Sequence, residues 1–174
     1  MLQTQEVPWR EGIYDVLKEI DVRQVVYVPD AGHSLLIERC LADPGIKAGP
    51  LTNEFEAVGM CAGAWLGGEK AVALMQSSGV GNIVNALGLI RSCGFPLLML
   101  ITMRGEWGEF NPWQLPMGQA TPHVLEAAGV IVNRAALPEE VVDVVRASAA
   151  LAFNSYCPVA VLISQRVIGA KVFK

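Results

Sequence analysis

Very little in this sequence is suited to hold a metal, grip a nucleic acid or enter a bilayer. It has only two histidines, His33 and His123, and four cysteines, Cys40, Cys61, Cys93 and Cys157. No two of these stand at metal-ligand spacing, so no structural zinc or other metal site is expected. Charge is scarce too. Only 17% of residues are charged, the formal net charge is −4, and no basic stripe runs through the chain. That excludes nucleic acid as the main partner. The longest apolar run, Phe95 to Ile101, falls far short of the roughly 20 residues that cross a bilayer, so no membrane span is expected. Met1 to Arg10 carries Glu6 and Pro8 and no apolar core, so it does not read as a signal peptide. A cytoplasmic chain with reduced, mostly buried thiols is the expectation. The common phosphate-loop signatures, Gly-Lys-Ser/Thr and G-x-G-x-x-G, are also missing.

What the chain has is apolar bulk. Apolar residues make up 52% of 174 residues, and the mean hydropathy is +0.39. The length fits one domain over 1–174. The surplus apolar surface points to a buried subunit interface. Glu11 to Ile20 reads as an amphipathic helix with Ile13, Val16, Leu17 and Ile20 on one stripe. Short apolar strands are expected at 24–28, 46–51, 70–75, 96–102, 130–132 and 159–163. Helices are expected at about 35–41, from Glu54 onward, and at 83–91, 122–128 and 138–153, with 103–117 a long structureless loop. The polar head and the tail from Lys171 to Lys174 read as frayed ends. Strands that alternate with helices and read as continuous apolar runs predict an α/β fold. The expected architecture is three-layer αβα with a mainly parallel central sheet, flavodoxin-like, its crossovers right-handed.

In such a fold ligands sit at the carboxyl ends of the strands. Four segments fall there: the turn 29–34, the helix start at Glu54, the loop 76–82 and the segment 103–121. Asn53 can cap the Glu54 helix, and Glu54 and Glu56 suit its positive end. Gly59, Ala62, Gly63 and Ala64 then leave a face of little bulk, open to close approach. Glu54 is either a first-turn acid in solvent or a catalytic carboxylate. Gln76-Ser77-Ser78-Gly79-Val80-Gly81-Asn82 is either an ordinary strand-to-helix turn or a cradle of backbone N–H groups. Arg104 to Gln114 joins charge, two tryptophans, Gly and Pro in a loop much longer than ordinary connections. Arg104 there either meets an anionic substrate or pairs with Glu106 or Glu109 to brace the loop. His33 is either a solvated turn residue or a pocket group. His123 reads as a helix-start residue.

Asn53-Glu54 with its small-residue helix, the run Met75 to Asn85, Arg104-Gly105-Glu106, and Gln114 through Met117-Gly118 to Thr121-Pro122 carry a resemblance. Together they resemble the pyrimidine-binding domain of thiamine diphosphate-dependent decarboxylases, of the sulfopyruvate and phosphonopyruvate type, from about Val25 to Ile163. The resemblance implies that Glu54 hydrogen-bonds N1′ of the cofactor's aminopyrimidine and drives the proton exchange that activates it. Glu56 is not carried over. It also implies cofactor contacts from Gly79, Asn82 and Gln114, and a substrate side lined by His33, Gln76, Ser77 and Arg104. Many relatives have His where Asn53 stands here, a departure shared within this type. The family holds diphosphate through Mg²⁺ on a second domain marked by Gly-Asp-Gly, and no Gly-Asp-Gly occurs in this chain. A diphosphate-binding beta subunit is therefore the expected partner, in a hetero-oligomer with at least two copies of each chain.

The implied activity is that of a carboxy-lyase acting on a small anionic 2-oxo acid, first 3-sulfopyruvate to sulfoacetaldehyde and CO2, next phosphonopyruvate or another 2-oxo acid. A noncatalytic regulatory subunit would keep the fold without the chemistry. A flavodoxin-like nucleotide-binding module is opposed by the absent phosphate-loop signatures.

Overall fold

A computed structural model describes residues 9–170. The expected frayed head and the 171–174 tail lie outside the described residues, apart from Trp9 and Arg10. These two already belong to the first helix, α1 (Trp9–Glu19). Its apolar stripe buries Trp9, Ile13, Val16 and Leu17. The order continues β1 (Val22–Tyr27), α2 (Ser34–Ala42), β2 (Lys47–Pro50), α3 (Glu54–Leu66), β3 (Lys70–Gln76), α4 (Val80–Ile83) and α5 (Leu87–Cys93). It closes with β4 (Leu97–Thr102), α6 (Leu115–Ala127), β5 (Ile131–Ala135), α7 (Val141–Ser155), β6 (Pro158–Ile163) and α8 (Gln165–Ile168).

The six strands form one sheet in the order β2-β1-β3-β4-β6-β5, and every neighbouring pair is parallel. Residues of β4 and β6 are buried throughout, as continuous apolar strands between two helical layers must be. One core packs α1, α2 and α7 on one face of the sheet. The other packs α3, α4, α5 and α6 on the opposite face. From β1 the chain steps outward to β2, then returns to place β3 on the other side of β1. That reversal opens a crevice at the carboxyl ends of β1 and β3. The register brings Gln76 beside Thr102 and Thr102 beside Ile163, so three strand ends stand level there.

Three features differ from the sequence expectation. The expected helix at 83–91 is two pieces, α4 and α5. The structureless loop ends at Asn111, because a 3₁₀ turn at Pro112–Gln114 leads directly into α6. Pro122 looked like a helix start, yet it lies inside α6. Pro116 already occupies the favoured early position. The Thr121 hydroxyl donates to Met117 O at 2.7 Å, next to the place where Pro122 lacks an N–H. The small face of α3 also divides. Gly59 and Gly63, four apart, point outward, whereas Ala62 and Ala64 are buried.

Candidate active site

Asn53 caps α3 by accepting from Phe55 N at 2.9 Å, and Glu56 reaches back to accept from Thr52 N at 3.2 Å. The first bond caps a free helix N–H, and the second ties the residue before the cap to the first turn. Glu54, the first helical residue, is turned inward and only 9% exposed. Its Oε2 accepts from Asn82 Nδ2 at 2.9 Å. Its Oε1 receives no hydrogen bond from the described residues. A Cβ on Gly79 would overlap the Glu54 carboxylate, so only glycine lets that side chain lie against the backbone here. The result is a nearly buried carboxylate with one oxygen held and one open, seated in the positive end of a helix.

Beside it lies the crevice. Asp30 follows β1 and accepts from Gln76 Nε2 at 2.9 Å and from Thr102 Oγ1 at 2.5 Å, tying together the ends of β1, β3 and β4. Gln76 Oε1 in turn accepts from Ser78 Oγ at 2.9 Å. A Cβ on Gly32 would come within 2.7 Å of Thr102 Cγ2, so this wall too is closed tightly. The cleft has a volume of about 610 Å³, and its lining includes Arg10, Asp30, Gln76, Thr102, Arg104 and Arg166.

The 103–111 loop is heavily braced. Arg104 grips Glu109 with two hydrogen bonds, 2.6 Å from Nε and 2.5 Å from a terminal nitrogen. Both side chains are largely buried, 12% and 2% exposed. The Arg104 guanidinium holds the Glu109 carboxyl down at about 2. Gln165 Oε1 accepts from Glu106 N and Trp107 N, and its Nε2 donates to Glu109 Oε2 at 2.9 Å. Glu106 accepts from Ser164 Oγ, Gln165 N and Arg134. Ser77, fully buried, accepts from Arg104 N at 3.0 Å. Gly105 makes the turn at φ +76, and a Cβ on Gly118 would overlap Arg104 O.

The structure thus gathers Glu54, Gly79 and Asn82 into one contact group and places Gln76 and Arg104 in the neighbouring cleft. Ser77 sits between the two as a tie from β3 to the 103–111 loop. His33 is 1% exposed. Its Nε2 lies 3.0 Å from Leu100 O and must carry the proton, since a carbonyl only accepts. Burial pushes this imidazole below its ordinary value, and Nδ1 is buried without a partner. Gln114 opens α6, packed by its backbone against Gly105, with its Oε1 buried and unpartnered. Sequence reasoning missed Asp30, Thr102, Arg10 and Arg166. Asp30 had a signal, a carboxylate directly after a strand. The arginines had none, standing near opposite ends of the chain.

The family described as "Thiamine pyrophosphate enzyme, N-terminal TPP binding domain" matches residues 9–111, and the chain belongs to that family. It is 35% identical to the sulfopyruvate decarboxylase subunit alpha of Methanococcus maripaludis over 154 residues, 88% of this chain and 92% of that one. It is 37% identical to the phosphonopyruvate decarboxylase of Streptomyces viridochromogenes over 112 residues, 63% of this chain but 28% of that longer protein. Among solved structures, 2-oxoglutarate:ferredoxin oxidoreductase from Magnetococcus marinus superposes with a TM-score of 0.71. That match spans 92% of this chain and 29% of that one at 13% identity, a likeness of fold alone.

Proposed function

We propose that this chain is the pyrimidine-binding alpha subunit of a thiamine diphosphate-dependent decarboxylase that converts 3-sulfopyruvate to sulfoacetaldehyde and CO2. The observation that carries it is Glu54, nearly buried, with Oε2 fixed by Asn82 and Oε1 open. A protonatable ring nitrogen such as N1′ suits an oxygen with unspent acceptor capacity, and the glycine at position 79 leaves the room that the carboxylate itself occupies. Glu54 would hold N1′ and pass a proton to and from it, a role that a buried, oriented carboxylate performs well. Asn82 fixes the carboxylate's orientation. The bound cofactor supplies the electron sink for the pair released when CO2 leaves. Gln76 and Ser77, with the buried Gln114 amide oxygen, are the further candidates to meet cofactor or substrate.

Mg²⁺ and the diphosphate are assigned to a beta subunit, in a hetero-oligomer with at least two copies of each chain. Three observations support this: no Gly-Asp-Gly in this chain, relatives named as alpha subunits, and an outward stripe on α3 of Phe55, Gly59, Met60, Gly63 and Leu66. Cytoplasmic location accompanies the reading, supported by four unpaired cysteines. Among the described residues no helix is long and apolar enough to cross a membrane.

The test is reconstitution with the partner subunit and thiamine diphosphate, comparing CO2 release from 3-sulfopyruvate, phosphonopyruvate and pyruvate. Fastest turnover of 3-sulfopyruvate is the expected result. Fastest turnover of phosphonopyruvate selects the second reading, which its relatives of that name favour. No turnover of any 2-oxo acid overturns the assignment.

A further inference from the structure

The arginines around the 610 Å³ cleft are not equivalent. Arg104 is paired with Glu109 through two hydrogen bonds, its charge already neutralised there. Arg10 and Arg166 take part in no ion pair among the described residues. The Arg10 guanidinium stacks 4.2 Å from the Trp9 ring and spends one N–H on a long 3.4 Å contact with Gly32 O. The Arg166 guanidinium stands 5.7 Å from the Trp107 ring. A flat aromatic support fixes a guanidinium without consuming its donors. The one carboxylate of the lining, Asp30, already has both oxygens committed to Gln76 and Thr102. In a chain of net charge −4, this cleft is a local concentration of positive charge with free, oriented donors.

The segment bearing Arg166 is anchored. Arg166 N donates to Ser164 Oγ, and Gln165 is tied to Glu106, Trp107 and Glu109. The opposite edge is bound to the candidate proton-transfer corner through the short path Gln76, Ser78 and Gly79. Gly169, Ala170 and Ala31 keep the remaining wall low. A tetrahedral oxoanion suits such a seat, because its oxygens accept from two planar forks at once.

We infer that Arg10 and Arg166 receive the sulfonate or phosphonate end of the 2-oxo acid, whose keto end faces the Glu54 corner, and so set the enzyme's preference for doubly anionic substrates. This rests on the decarboxylase reading above. Arg104 holds the loop that shapes the cleft.

The reconstituted enzyme tests it with Arg10→Ala, Arg166→Ala and Arg166→Lys, each first matched to wild type in thermal melting. Loss of one charge-assisted contact is expected to raise KM for 3-sulfopyruvate about 10- to 100-fold with kcat little changed. Arg166→Lys should recover part of that loss. Pyruvate, which lacks the second anion, should keep its KM in every variant. Running phosphonopyruvate alongside tells which oxoanion the seat prefers. Unchanged KM for both doubly anionic substrates overturns the inference, and so does an equal rise for pyruvate. Calorimetric titration of the full chain with 3-sulfopyruvate separates this inference from the activity. If no 2-oxo acid is turned over, the decarboxylase reading fails on its own. The anion seat then stands if Arg166→Ala abolishes binding that wild type shows, and falls if binding is unaltered or absent in wild type.

Discussion

Two carboxylates in this molecule, Glu54 and Glu109, are both largely buried and both sit beside strand ends, yet they are treated in opposite ways. Glu109 meets a bidentate arginine, two backbone amides and the Gln165 amide. Every acceptor site is taken, and the carboxyl is held at about 2. Glu54 meets one amide, from Asn82, and keeps an oxygen open. A saturated carboxylate fixes shape, because nothing can approach it without breaking a bond already made. An unsaturated one in a confined corner is costly to keep, and an incoming ring nitrogen can complete it. Burial alone does not separate the two roles; unspent hydrogen-bonding capacity does.

Exchanging these properties by mutation tests the contrast. The largest effect is expected at the open carboxylate: Glu54→Gln should lower turnover by about 10²–10⁴, the range for a positioned proton-transfer group, with no fall in melting temperature. Steady-state rates with saturating cofactor check it, and near-wild-type turnover would remove Glu54 from the chemistry. Gly79→Ala should follow, at about 10², because the added methyl must displace the carboxylate it overlaps. The saturated carboxylate should respond in stability instead. Glu109→Ala leaves Arg104 without its partner and should cost about 3 kcal/mol in a denaturant melt. The acid limb of stability carries the same signature. Glu109 is held below its unfolded value, so the folded state binds fewer protons. Its stabilising share is present above the ordinary carboxylate range and lost as pH falls toward about 2. Glu109→Gln should flatten that limb. The smallest effect is expected from Asn53→Ala, about 1 kcal/mol for a lost helix cap, with a modest rate penalty from a loosened Glu54.

The α/β class, the six strands and the parallel sheet were legible because buried parallel strands leave unbroken apolar runs such as Leu97–Thr102. The choice of Glu54 over Glu56 followed from the resemblance. The structure adds a local contrast, Glu54 turned inward and Glu56 tied to Thr52 N. Three things were hidden. Pro122 reads locally as a start signal, and only the tertiary setting lets α6 run through it. Arg104 had two acids within reach along the chain, and the positive φ at Gly105 helps curl the loop back to Glu109. Arg10 and Arg166 are separated by nearly the whole chain and meet only because the strand ends converge on one crevice.

The outward stripe of α3 has a consequence for the cell's accounting of subunits. Phe55, Met60 and Leu66 are 53%, 47% and 73% exposed, and they share a helix with Glu54. If the proposed partner subunit covers that flank, a copy made without it displays an adhesive surface on the helix that carries Glu54. Such orphans would clump or be degraded. On the proposed two-chain enzyme, matched synthesis of the chains becomes as much a condition of activity as any single side chain.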